Sequence, residues 1–223
     1  MHVYGNPHIH TSPLNGKTIA ENICVGLKRN APEHAEYFDQ NLHRFIEEVD
    51  RRTFGDELVR LLGGKLMTNL AQKGKLIPFL ENKQYRGQPL SAHLGGWMKA
   101  AESLRGLKIV AYHKNISYFA ELFDIEIVDY LEPKPGIPPT PGHISAVIDK
   151  MRSQHIHILW AENYFDIGQV RKVSDRVGAR PVIVALAPGG QPEMRTFFDM
   201  FDIWIRELSN AAQETDRPGP SSH

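Results

Sequence analysis

Three histidines, His2, His8 and His10, fall within the first ten residues, MHVYGNPHIH. In an extended segment His-X-His places both side chains on one face, a spacing with which neutral imidazoles can grip a divalent metal. Pro7 and Pro13 bracket the pair and disfavour regular strand geometry, so His10 taken alone reads as a surface residue. His2 stands too close to the terminus to be weighed. Cys24 is the single cysteine. This leaves no intrachain disulfide and no zinc site built on two or more thiolates, and any metal centre must come from histidine and carboxylate.

Further groups of this kind appear where apolar runs end. His113 follows LKIVAY directly, Asp129 and Glu132 follow IEIV, Glu162 and Asn163 follow HILWA, and the loop APGGQPE follows PVIVAL. His113 and Glu162 are the metal-binding types that sit at once on such an exit. A second His-X-His, His155 and His157, leads into the run HIHILW. It lies at the amino end of a strand, away from the ligand edge of a parallel sheet, and reads as two turn residues. No nucleophile elbow, phosphate loop, zinc-protease helix or dinucleotide fingerprint is present.

The elements that must carry these groups follow from periodicity. Ile19, Ile23 and Leu27 recur at four-residue intervals, one stripe of a helix. Asn30 is read as the N-cap of a second helix with Pro32 in its first turn, and Phe38, Leu42, Phe45, Ile46 and Val49 share that helix's apolar face. The stretch from about 55 to 105 mixes helix and loop, with two Gly-Gly pairs, and has no assigned role. From residue 107 short β-branched runs alternate with helical segments near 114–123, 141–154, 166–177 and 192–208. Such alternation predicts an α/β lobe with a four-stranded, mainly parallel sheet flanked by helices. The proline-rich EPKPGIPPTP fixes a loop shape, and QETDRPGPSSH reads as disordered.

Lys plus Arg and Asp plus Glu both number 26, so the formal charge is zero and no basic patch points to nucleic acid. Hydrophobic content of 41% is ordinary for a globular chain, and no apolar run reaches the length that spans a bilayer. No charged n-region followed by an apolar h-region opens the chain, so no export signal is expected in it.

Together these segments resemble the solute-binding proteins that capture zinc or manganese for ABC importers. GNPHIHTSPLNGKTIAENICVGL is similar to that family's NPH-x-W-x-DP segment, and IVAYHKNISYFAELFDIEIV to its strand ending in Tyr-His before an aromatic-rich helix. EPKPGIPPTPGHISAVIDKM and ILWAENYFDIGQVRKVSDRVGARPVIVAL follow in the family's order. The resemblance implies two α/β lobes joined by one long helix, with metal held in the cleft. It assigns His8 as ligand from the N-lobe and His113 from the C-lobe. His10 stands where the family has an aromatic residue and Ser12 where it has Asp. The last loop lacks the usual carboxylate, with Glu193 nearest and Glu162 the other candidate. Another upstream histidine is missing.

On this resemblance residues 1–33 are a remnant of the N-terminal lobe, 34–105 a long linker helix plus helical insertion, 106–210 the C-terminal lobe and 211–223 a disordered tail. The chain is expected to be shortened at its N-terminus: either its start is placed too late in a protein that is complete and exported, or it is a shortened paralogue with the site completed by His10, Glu162, water or another chain. Histidine with carboxylate favours Zn2+, with Mn2+ the other choice, over Mg2+ or Ca2+. The implied role is non-enzymatic: periplasmic or extracytoplasmic capture of the ion as cargo and delivery to an ABC transporter membrane permease, without nucleic acid. An apolar face left by an absent lobe would favour self-association. Two other readings use the same residues: a metal-dependent hydrolase, and a shortened paralogue that has lost its metal.

Overall fold

The computed structural model describes residues 5–134 and 136–216; His2 and the last residues of the expected tail, 217–223, lie outside it. The chain divides into two compact units, one of residues 9–102 and one combining residues 1–8 with 103–223.

The first unit is helical: α1 (Pro13–Asn30), α2 (Ala35–Phe54), α3 (Asp56–Leu62), α4 (Gly64–Gln72), α5 (Leu76–Asn82) and α6 (Gly96–Ala100), with a two-residue hairpin of β1 (Gln84–Tyr85) and β2 (Gln88–Pro89). Pro13 stands in the first turn of α1, where its missing N–H costs nothing. Asn30 ends α1, its Nδ2 donating to the Gly26 carbonyl at 2.8 Å, and does not cap α2, which begins after a 3-10 turn at Pro32–His34. The stripe Ile19, Ile23, Leu27 is also not the buried face of α1: Ile23 is 57% exposed, and Cys24 is the buried residue of that segment. The Gly-Gly pairs that the sequence left unexplained sit at close approaches. A Cβ on Gly64 would fall 1.9 Å from Asp50 Oδ2, and one on Gly55 2.6 Å from Gly95 Cα. Gly96, at φ +57, passes so near the Arg52 carbonyl that a Cβ would meet it at 2.2 Å. These glycines let α4 and α6 pack directly on α2.

The second unit carries the sheet. β3 (Lys108–Ala111), β4 (Glu126–Tyr130), β5 (Ile158–Glu162) and β6 (Arg180–Val184) lie in the order β4-β3-β5-β6 with every pairing parallel. The interleaved helices are α7 (Ser117–Phe123), α8 (Pro141–Ser153), α9 (Ile167–Val177) and α10 (Phe197–Asp216). The tail expected to be disordered from residue 211 therefore starts with the last turns of α10. Side-chain alternation sorts the two faces. Val110, Tyr112, Leu159 and Ala161 pack with Val147, Ile148, Met151, Val170 and Val173 of α8 and α9. On the other face Trp160 meets Phe119 of α7 and Trp204 of α10, with ring centroids 6.1 and 5.5 Å away. All five residues of β5 are buried, as a central strand covered on both sides requires.

Candidate functional site

In a parallel sheet all carboxyl ends share one edge, and ligands gather where the chain leaves adjacent strands in opposite directions. β3 and β5 are such neighbours here, since the helix after β3 covers one face and the helix after β5 the other. Pairing continues past the strands: Tyr112 N donates to the Trp160 carbonyl at 2.7 Å, and Glu132 N to the Tyr112 carbonyl at 2.8 Å. This brings His113, at the exit of β3, beside the residue two beyond β4, Glu132.

His113 Nδ1 is hydrogen-bonded to Glu132 Oε2, and both side chains are about nine-tenths buried, at 11% and 9% exposure. The other carboxylate oxygen accepts the Gly136 N–H at 2.6 Å. Gly136 adopts φ +75, so the proline-rich loop folds back to hold Glu132 from its far side. With Nδ1 bonded to a carboxylate, the imidazole's tautomer and ring plane are set. Phe165 lies against the ring at 6.0 Å between centroids and stacks on Tyr112 at 4.2 Å.

His8 meets His113 edge to face, with ring centroids 5.4 Å apart at 87°. Asn6 puts it there. Its Oδ1 accepts the His8 N–H at 3.1 Å, closing an Asx turn over Pro7, while its Nδ2 donates to the Lys114 carbonyl at 2.8 Å. Tyr118 of α7 donates its hydroxyl to the Asn6 carbonyl at 3.0 Å. The Asn-Pro-His segment is thus fastened to the turn that carries His113.

The remaining sequence candidates have other surroundings. Glu162 ends β5 and is fully buried. Its Oε1 accepts the Trp160 indole N–H at 2.8 Å, the two side chains sharing a face as i and i+2. Burial raises its pKa to about 7, against the opposing hydrogen bonds of Asn115 and Trp160. His10 sits in a 3-10 turn, Ile9–Thr11, of the helical unit, and burial lowers its pKa. Asp129 is held by Lys150 Nζ at 2.8 Å; Glu193 is exposed. His155 and His157 are exposed where α8 turns into β5, His155 at φ +53, as a turn reading requires. Among the described residues no group of three or more His, Cys, Asp or Glu is arranged to hold a metal ion. Sequence reasoning named Glu132 as a strand exit but missed its bond to His113; the available signal was its place two residues beyond the neighbouring strand.

The family described as zinc-uptake complex component A, periplasmic, matches residues 2–53 and 90–211. The high-affinity zinc uptake system protein ZnuA of Brucella abortus (strain 2308) is 22% identical over 207 residues, covering 93% of this chain and 49% of that protein. The ZnuA of Brucella suis biovar 1 matches at the same level. The chain spans about half the length of the curated relatives it matches. Among solved structures, a ZnuA crystal structure superposes with TM-score 0.64 at 16% identity, covering 93% of this chain and 60% of that one. A Mn-bound mutant of a periplasmic metal binding protein from Candidatus Liberibacter asiaticus does so with TM-score 0.58 at 17%, covering 92% and 63%. The likeness is one of fold. No helix among the described residues is long and apolar enough to cross a membrane.

Proposed function

The chain belongs to the periplasmic zinc-uptake complex component A family, and from that premise we propose that it binds Zn2+ as cargo through His8 and His113 and yields it to the membrane permease of an ABC importer. The observation that carries this reading is the pair of imidazoles face to edge, one oriented through Nδ1 by a doubly anchored carboxylate. That carboxylate–histidine arrangement fixes the tautomer a metal needs. Zinc, a borderline-soft ion, suits imidazole better than the harder manganese does. Two histidines leave further positions of a tetrahedral ion to water or to groups from outside this pair. Glu162 is left out of the ligand set because its carboxyl is buried and takes the Trp160 indole N–H.

In this reading the protein is a binding component, not an enzyme, and works in the periplasm, the compartment its family's description names. Capture needs neutral imidazoles, so zinc and protons compete for the same nitrogens and acid weakens binding. The test is competition with a chelator of known affinity. Zinc retention that His113→Ala abolishes supports the reading; retention unaffected by that change contradicts it.

A further inference from the structure

The stripe Ile19, Ile23, Leu27 that periodicity picks out on α1 is not explained by burial, since Ile23 is 57% and Leu27 44% exposed. Its counterpart on α2 changes character along the helix. The buried residues of α2, Val49, Asp50, Thr53 and Phe54, all lie in its last six positions, whereas Phe38, Leu42 and Phe45 are half-buried. Val49 stands four residues beyond Phe45 and seven beyond Leu42, hence on the same face. One apolar stripe is therefore core at one end of α2 and open at the other. The seam between the two helices is marked by Lys17 bonded to Asp50 at 2.7 Å, and by Lys28 and Cys24 bonded to Asp39 at 2.7 and 3.5 Å. At about 100° per residue, both stripes lie about a quarter to a third of a turn from that seam. The paired residues show that the helices run antiparallel, so both offsets fall on one side of the hairpin. Ile19, Ile23, Leu27, Phe38, Leu42 and Phe45 thus share one face, and none of them can ionise.

We propose that this face pairs with a second copy of the chain, the two α1–α2 hairpins closing a four-helix bundle about a two-fold axis. An isologous contact sets a patch against itself, so every charge on it meets its like. This stripe carries none, and the chain's 26 basic and 26 acidic residues cancel, which leaves no net repulsion between copies. A nucleic acid or a highly charged peptide would need charge that the face lacks. The open stretch of each helix is about 15 to 20 Å long by its rise per residue, and two helices packed about 10 Å apart present a face about 20 Å wide. Face to face, two copies cover on the order of 1,000 Å², the lower bound of a specific interface. Antiparallel neighbours with apolar stripes turned inward are the ordinary arrangement of a four-helix bundle. An area at that bound corresponds to a dissociation constant of about micromolar order.

His8 and His113 belong to the other unit, and pairing is expected without metal, so this inference and the zinc-binding reading fail separately. The test is sedimentation equilibrium of the full chain in the presence of a chelator, across concentrations that bracket the expected constant. The mass should rise from that of one chain to that of two and stop there. Ile23→Glu and Leu27→Glu each set like charges against one another in the pair and are expected to weaken association at least about tenfold. Both positions are exposed, so the variants should keep the wild-type circular dichroism spectrum. Val25→Glu alters the opposite side of the same helix at a residue 48% exposed, and is expected to leave association unchanged. A measurement on the wild type alone backs these variants: amide exchange over 19–27 and 38–45 should slow as concentration rises, with Arg180–Val184 unchanged. The mass of one chain at every concentration, growth past two copies, a dimer that forms only when zinc is added, or an equal loss in Val25→Glu overturns the inference.

Discussion

Raising the pH through neutrality should cost this protein more stability than a single carboxyl group usually can. Glu162 is wholly buried at the end of β5, and burial lifts its pKa from an ordinary 4.5 to about 7. The folded chain therefore keeps a proton that the unfolded chain releases between those values. The stabilising contribution is complete below the unfolded value and is lost as pH climbs through the folded one. At about 1.4 kcal/mol per pKa unit, the loss comes to about 3 kcal/mol, or roughly 10 °C in melting temperature for a chain of this size. Urea unfolding of metal-free wild type and Glu162→Gln, at about pH 5 and about pH 8.5, isolates the term, because the other titrating groups are common to both. Glutamine cannot ionise and should gain on the order of 3 kcal/mol relative to wild type at the higher pH. A stability difference that stays flat between the two pH values would refute the reasoning.

Replacing Glu132 by Gln removes the charge that orients His113, and zinc affinity measured by chelator competition should fall about 10- to 100-fold. Asn6→Ala opens the Asx turn and frees His8 from the β3–α7 turn; calorimetric zinc titration should show a loss of about tenfold, by the same loss of preorganisation. In the helical unit, Gly96→Ala forces a Cβ toward the Arg52 carbonyl at a positive φ. It should destabilise the chain by about 3 kcal/mol through overpacking and backbone strain, read as a drop in melting temperature with no change in zinc affinity per folded molecule.

The sheet was legible because each of its strands is a short β-branched run followed by a helix, and LKIVAY, IEIVDY and PVIVAL overlap β3, β4 and β6 within a few residues. His113 was legible from its place after β3, since parallel strands deliver their exits to one edge. Glu162 satisfied the same rule and behaves differently. It is the fifth residue of a strand covered on both faces, and parity puts it on Trp160's side, where the indole N–H captures it. Strand position predicts the edge; it does not say whether the last side chain turns outward or into the core. Glu132 escaped notice for a related reason, because its bond to His113 depends on a loop folded back at Gly136 and on neighbouring strands whose order the sequence does not state. The helix over α1 was legible from its periodicity, yet that same stripe was not the buried face, since α2 packs where Cys24 points and four-residue spacing alone does not choose among faces.

The central claim is that His8 and His113 take hold of one zinc ion. Its most direct test is a zinc titration of the purified chain against a competing chelator, run beside His8→Ala and His113→Ala. The account predicts sub-micromolar binding that each substitution weakens by at least about tenfold, as loss of one ligand from a shared ion requires. No binding by the wild type, or binding indifferent to both changes, would contradict it.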